Sequence, residues 1–402
     1  MSEQTADSSA HWLNAERIRI YSVLIVAIVG VVAAWWIARS LPSLVDPHGK
    51  PVGYDFITFW SAARLALDGS PAAAFDAAAI ADAQHQAVPA MGDMLFLWHY
   101  PPTFLLLVLP LGLLSYPAAL IAFSGATAAL WAGLTRTLFR DPRAWLVAAA
   151  TPAGLVNLID GQNGFLTAGL AGFALVQLDR RPRLAGTLIG LLAIKPHLGV
   201  LFPVAFIAGR RWQTFVCAAV TAIVFTLAGV AAFGLPTTVA FLRDLPSLRD
   251  IVDRAGLPWG QMPSPYVLML SLRAPSMLAA LVQGVTALAA AVCVWRAWRR
   301  DDAPFEARAA VLMVGSLLVS PYLFTYDWTW LAVALAFLAV LGLRDGFGRY
   351  ERDMLFAAWL APLALMPLYW LLGVQLGCAM LIMTLAIAIR RLTAAPYSSR
   401  RH

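Results

Sequence analysis

The sequence predicts an all-α polytopic membrane protein, and three observations carry that expectation. First, 60% of the 402 residues are hydrophobic and 13% are charged, with a mean hydropathy of +0.72. That is more apolar surface than a soluble core of this length buries, which leaves the bilayer as the main solvent. Second, apolar runs near the about 20 residues of a spanning helix recur between positions 18 and 391, broken only by short polar stretches. Third, arginines cluster between those runs, at Arg180-Arg181-Pro182-Arg183, Arg210-Arg211, residues 296–300, residues 344–352 and Arg390-Arg391. Cytoplasmic loops collect positive charge in this way. The net charge of +7 therefore reads as a topology signal, and no nucleic-acid partner is expected. The span-length rule predicts a single integral domain, 1–402, with about twelve crossings, and the plasma (inner) membrane is its expected location.

Taken in order, residues 1–17 are a cytoplasmic tail ending in Arg17, and with Arg19 they precede a first span at 20–38. That run is too long for the apolar part of a signal peptide and is expected to stay as a signal anchor. Residues 39–95 then form the first outer loop. Within it, the Ala-rich pieces 56–67 and 71–88, separated by the stop-and-start signal Asp68-Gly69-Ser70, predict two short amphipathic helices at the membrane surface. Between 100 and 178 at least one apolar piece must fall short of a full crossing. Residues 184–209 are too short for two spans and are interrupted at Lys195-Pro196-His197, which predicts broken helices. Asp160-Gly161-Gln162-Asn163-Gly164 is a second such break. A span at 214–233, a second outer loop at 234–275, five further spans and a cytoplasmic tail at 391–402 complete the chain. Cys217, Cys293 and Cys378 sit in apolar runs without metal or disulfide spacing.

Five places hold residues that could carry chemistry, two of them the polar breaks at Lys195 and at 160–163. Asp55 stands at the start of the 56–67 helix. Capping that helix is its plain role, and a general base at the membrane-water boundary is the functional one. Lys195 is an ammonium set among apolar residues, so an anionic partner or a wet cavity is expected beside it; snorkelling is the alternative. Asp160, Gln162 and Asn163 fit either turn chemistry or a site. His99 and Tyr100 precede Pro101-Pro102 at the outer mouth of an apolar helix, and Asp327 lies among aromatics after Ser320-Pro321. In the second outer loop, Arg243, Arg249, Arg254 and Arg273 alternate with Asp244, Asp250 and Asp253, which predicts mutual ion pairs. Walker, dinucleotide, HExxH and nucleophile-elbow patterns are missing from the sequence.

The ordered series of motifs resembles glycosyltransferase family 87, once a domain of unknown function. Asp55-Phe56-x-x-Phe59-Trp60-x-Ala62-Ala63 is followed by Gly69-x-Pro71-x-x-x-Phe75-Asp76, then Tyr100-Pro101-Pro102, Gly161-Gln162-Asn163, Lys195-Pro196-His197 and Ser320-Pro321. Where that family often shows a histidine after the Ser-Pro pair, this chain has Tyr326-Asp327. The resemblance implies a GT-C fold whose first outer loop carries the catalytic acid. It also implies a mannosyltransferase-like hexosyl transfer, from a polyprenyl-phosphate sugar to a glycan or glycolipid acceptor on the outer face. By position Asp55 would be the base.

The Lys195-Pro196-His197 stretch matches a family motif, and on physical grounds Lys195, helped by His197, is expected to meet the donor phosphate. His99, Tyr100, Gln162, Asn163, Asp327 and Trp60 are expected to bind substrate. No cofactor and no metal is predicted, and single displacement would invert the anomeric carbon. A transporter or lipid flippase is the rival reading, with Lys195, Asp160 and Asp327 as pathway charges and Asp55 as a cap.

Overall fold

The structure is a computed structural model that describes residues 11–41, 43–139, 144–254 and 257–393. Residues 1–10 and 394–402, most of the two expected tails, lie outside the described residues. Among those described, every regular element is helical, and the only β feature is an isolated antiparallel bridge between Val45 and Pro51.

Helix α1, Ala15–Ser40, is capped by Asn14, whose side chain accepts from the Arg17 N–H. It spans the predicted first crossing. Val23, Leu24, Ile28, Val31, Val32 and Trp35 along it are all exposed. A helix can leave so much apolar surface uncovered by protein only where lipid covers it. Six helical stretches of the described residues are long and apolar enough to cross a bilayer: Glu16–Ser40, Tyr116–Leu138, Trp212–Asp253, Ser276–Trp298, Thr325–Asp345 and Glu351–Leu372. The chain is an integral membrane protein. The expected twelve crossings exceed what helix length supports, because polar turns cut the remaining apolar runs short.

The predicted break points hold. Residues 182–208 run as α-helix Pro182–Gly190, a 3-10 turn Leu191–Ile194, a single turn Pro196–Gly199 and a last helix Leu201–Ala208. Among the described residues between 100 and 178 only Tyr116–Leu138 has spanning length, while Pro152–Asp160 and Gly164–Gln177 are separated by the turn at Gly161. Helix Trp212–Asp253 kinks at Gly234, at φ 78°, and then continues through the first part of the predicted second outer loop.

One expectation needs correction. Helix α2, Phe56–Leu67, has the predicted bounds but does not lie on a surface. Phe56, Ile57, Phe59, Ala62 and Ala63 along it are fully buried. The reason is an aromatic cluster. Phe59 meets Tyr100 at 5.3 Å and Phe104 at 4.9 Å between ring centres, and Trp98 stacks on Phe104 at 5.6 Å. Such pairs contribute about 0.5–1.5 kcal/mol each beyond their buried area. They lock α2 to the Trp98-His99-Tyr100-Pro101-Pro102 segment and so hold Asp55 in place. The second predicted helix is a 3-10 turn, Pro71–Phe75, followed by α3, Ala77–Ala87.

Candidate active site

Two acids start helices in the first long loop, and they behave differently. The Asp76 carboxylate accepts from the Ala78 and Ala79 N–H groups, which is ordinary N-capping of α3. Asp55 stands at the same position on α2, yet its side chain makes no capping hydrogen bond. Its Oδ2 accepts instead from Gln162 Nε2 at 2.9 Å, and its N–H donates to the Asp160 carbonyl at 2.9 Å. The carboxylate is thus turned from its own helix toward the 160–164 turn, and the residue stays half-buried.

Gln162 is the hub of that turn. Its Oε1 accepts from the Tyr100 hydroxyl at 3.1 Å and from the Asn163 N–H at 3.0 Å. Two glycines make the geometry possible. Gly161 has φ +64°, and a Cβ on it would stand 2.6 Å from the Phe56 Cβ and 3.0 Å from the Gly53 carbonyl oxygen. A Cβ on Gly164 would meet the Tyr326 carbonyl oxygen at 2.5 Å. Gly161→Ala is therefore expected to lower the melting temperature in detergent. The left-handed backbone costs about 1–2 kcal/mol with a Cβ, and the clash adds to it. A Gly161→Ala protein melting with wild type would show that this contact is soft.

Behind the turn lies the buried ion pair of Lys195 and Asp327, 2.5 Å apart, with 5% and 0% of each residue exposed. Lys195 also donates to Asn163 Oδ1 at 3.4 Å and faces the Tyr326 ring, 4.9 Å from its centre. The expected anionic partner of Lys195 is thus a carboxylate 132 positions away in sequence. Both Asp327 oxygens are engaged, the second by the Phe324 N–H at 3.3 Å. A residue so enclosed holds Lys195 in place. The Nδ2 donor of Asn163 is buried with no partner among the described residues, a condition that buried polar atoms rarely keep.

The other expected site residues sit apart. His99 Nδ1 pairs with Asp244 Oδ2 at 2.6 Å, linking the segment before Pro101 to the second loop. Asp244 is therefore not paired with a neighbouring arginine as expected, although Arg249 and Asp253 do pair at 3.7 Å. His197 is exposed and makes no hydrogen bond among the described residues. The Trp60 indole donates to the Leu114 carbonyl at 3.0 Å and packs edge-on to Tyr116. Among the described residues no group of three or more His, Cys, Asp or Glu side chains is placed to hold a metal ion.

The model of glycosyltransferase family 87 matches residues 98–321, more than half of the chain. The chain belongs to glycosyltransferase family 87. It is a membrane glycosyltransferase, and the transporter reading loses its ground. No curated protein and no solved structure matches it. The family match takes in His99, Tyr100, Gln162, Asn163, Lys195 and His197, whereas Asp55 and Asp327 lie outside it.

Reading the sequence passed over one basic residue that stands close to Asp55 in the chain of this glycosyltransferase. Lys50 stands on the 45–51 turn, and its field reaches Asp55 and Asp160. A signal was available in the composition: of 29 basic residues only two are lysines, Lys50 and Lys195.

Proposed function

We propose that this glycosyltransferase moves a hexose from a polyprenyl-phosphate donor to an acceptor hydroxyl on the outer face of the plasma membrane, with Asp55 as general base and inversion at the anomeric carbon. The observation that carries the reading is the orientation of Asp55, whose carboxylate is withdrawn from capping and held by Gln162, while Lys195 touches the adjacent Asn163. A carboxylate in that setting accepts the acceptor's proton as the acceptor oxygen attacks. The fixed cations offset the negative charge that develops on the departing phosphate. One phosphate leaves, and side-chain cations suffice for it, so transfer without a divalent ion is part of the proposal. A GT-C arrangement with about twelve crossings, some made by broken helices, is a further part. An apolar crevice of about 260 Å³ adjoins the Lys195 break and is lined by Pro196, Val200, Pro203, Phe206 and Phe215; it suits a prenyl chain.

Purified protein given radiolabelled polyprenyl-phosphate hexoses and lipid extract is expected to transfer label, and the pH profile identifies the base. Burial raises the Asp55 carboxyl above its usual range, against the opposing pull of Gln162, Lys195 and Lys50. A base must be deprotonated, so activity is expected at higher pH and to fall as pH drops through a value above the ordinary aspartate pKa of about 3.9. No transfer from any polyprenyl-phosphate hexose would refute the donor class. A flat acid limb would refute the base.

A further inference from the structure

We propose that Lys50 is the side chain that meets the phosphate of the lipid-linked donor, while Lys195 serves as a charge held in the wall of the site. This rests on the polyprenyl-phosphate reading above. The two lysines of the chain stand on different sides of the Asp55 segment in sequence: Lys195 touches Asn163, the neighbour of Gln162, and Lys50 lies over the ring of Tyr54, the residue before Asp55. They differ in whether they are free. The Lys195 ammonium is already compensated by Asp327 at 2.5 Å and touches Asn163 as well. Drawing it onto a phosphate would strand a fully buried carboxylate, and leaving one partner of a buried pair uncompensated is costly.

Lys50 has no such tie. It is half-buried, and its ammonium has no hydrogen bond and no carboxylate partner among the described residues. Its ammonium lies over the face of the Tyr54 ring, 5.1 Å from the ring centre. The carboxylate nearest in sequence, Asp46, is occupied in building the turn. It accepts from the His48 N–H at 2.8 Å, the Lys50 N–H at 2.9 Å and the Tyr54 hydroxyl at 3.0 Å. Burial and that carboxylate raise the Tyr54 phenol, which stays protonated and keeps donating. The Val45–Pro51 bridge and the Lys50 carbonyl, which accepts from the Asp46 N–H at 2.7 Å, close the turn. A rigid turn thus presents one unpaired ammonium beside the turn that carries Asp55.

The chemistry favours lysine there. As the acceptor oxygen bonds to the anomeric carbon, the bond from that carbon to the phosphate oxygen breaks and its electron pair stays on the oxygen. The acceptor proton passes to Asp55, and a phosphate diester monoanion becomes a monoester dianion. A compact ammonium on a flexible stem follows that shift of charge, whereas the planar guanidinium used elsewhere in the chain is bound to one geometry.

The test uses the full-length protein in detergent, with decaprenyl monophosphate and decaprenol as probes, and compares wild type with Lys50→Gln, Lys50→Met and Lys50→Arg. Wild type is expected to prefer the phosphate. Both neutral variants, which differ in how well they pack on Tyr54, are expected to bind the phosphate about tenfold or more weakly, as loss of a charge-assisted contact implies. Their affinity for the alcohol should be unchanged, and Lys50→Arg should recover part of the loss. If wild type prefers the phosphate and a folded neutral variant binds it equally well, the Lys50 assignment is overturned while the donor reading stands. A wild type that fails to distinguish phosphate from alcohol overturns the donor reading and this assignment with it.

Discussion

Asp55→Asn is expected to reduce sugar transfer by about 10²- to 10⁴-fold, the contribution typical of a positioned general base, with little change in melting temperature. The substitution separates the two roles open to an acid at a helix start. Asparagine caps a helix N-terminus about as well as aspartate, and its carbonyl oxygen can still accept from Gln162 Nε2, which now lies 2.9 Å from the carboxylate. What asparagine cannot do is take a proton. The Asp55 side chain caps nothing in α2, so no helix stability is at stake in the first place. Asp76 supplies the control. Its carboxylate holds two N–H groups of α3, so Asp76→Ala should cost about 0.5–2 kcal/mol of stability and leave the chemistry intact. Equal transfer by wild type and a folded Asp55→Asn protein would remove Asp55 from the mechanism.

Asp327→Asn should be the most destabilising single change at the site, lowering stability by about 3–5 kcal/mol because it strands the buried Lys195 ammonium. The double variant Lys195→Met/Asp327→Asn should regain most of that loss, since no unpaired charge then remains, and unfolding in one detergent compares the set. The same double variant reports on catalysis. Lys195 pulls the Asp55 carboxyl downward, and removing it lets burial raise that group further. The acid limb of the pH profile should therefore move to higher pH. Single and double variants of equal stability would mean that water already compensates the pair, and an unmoved acid limb would mean that Lys195 does not act on the base.

Much of this was legible before any coordinates. The bounds of α2 follow from Asp68-Gly69-Ser70 and the apolar spacing before it, and the breaks at 161–163 and 195–197 follow from polar residues inside apolar runs. Local signals of this kind depend on neighbours in sequence, and neighbours in sequence are what a reading of one chain sees. The burial of α2 was not legible, because its amphipathic pattern is the same whether its apolar face meets lipid or the ring of Phe104. Nor was the partner of Asp244, which the charge pattern of its own loop assigned to arginines and the fold assigned to His99.

The sequence by itself determined the solvent, the helical class, the family and the places where the helices break, since each rests on composition or on short-range pattern. Only the tertiary structure decided which of the two helix-starting acids is withdrawn from capping, that Lys195 is paired with Asp327, and that Lys50 has no ion-pair partner among the described residues. Those are contacts across 107 and 132 positions, or the lack of one. Charge strength falls with distance in space, so what an ionisable side chain can do is set by what the fold leaves beside it.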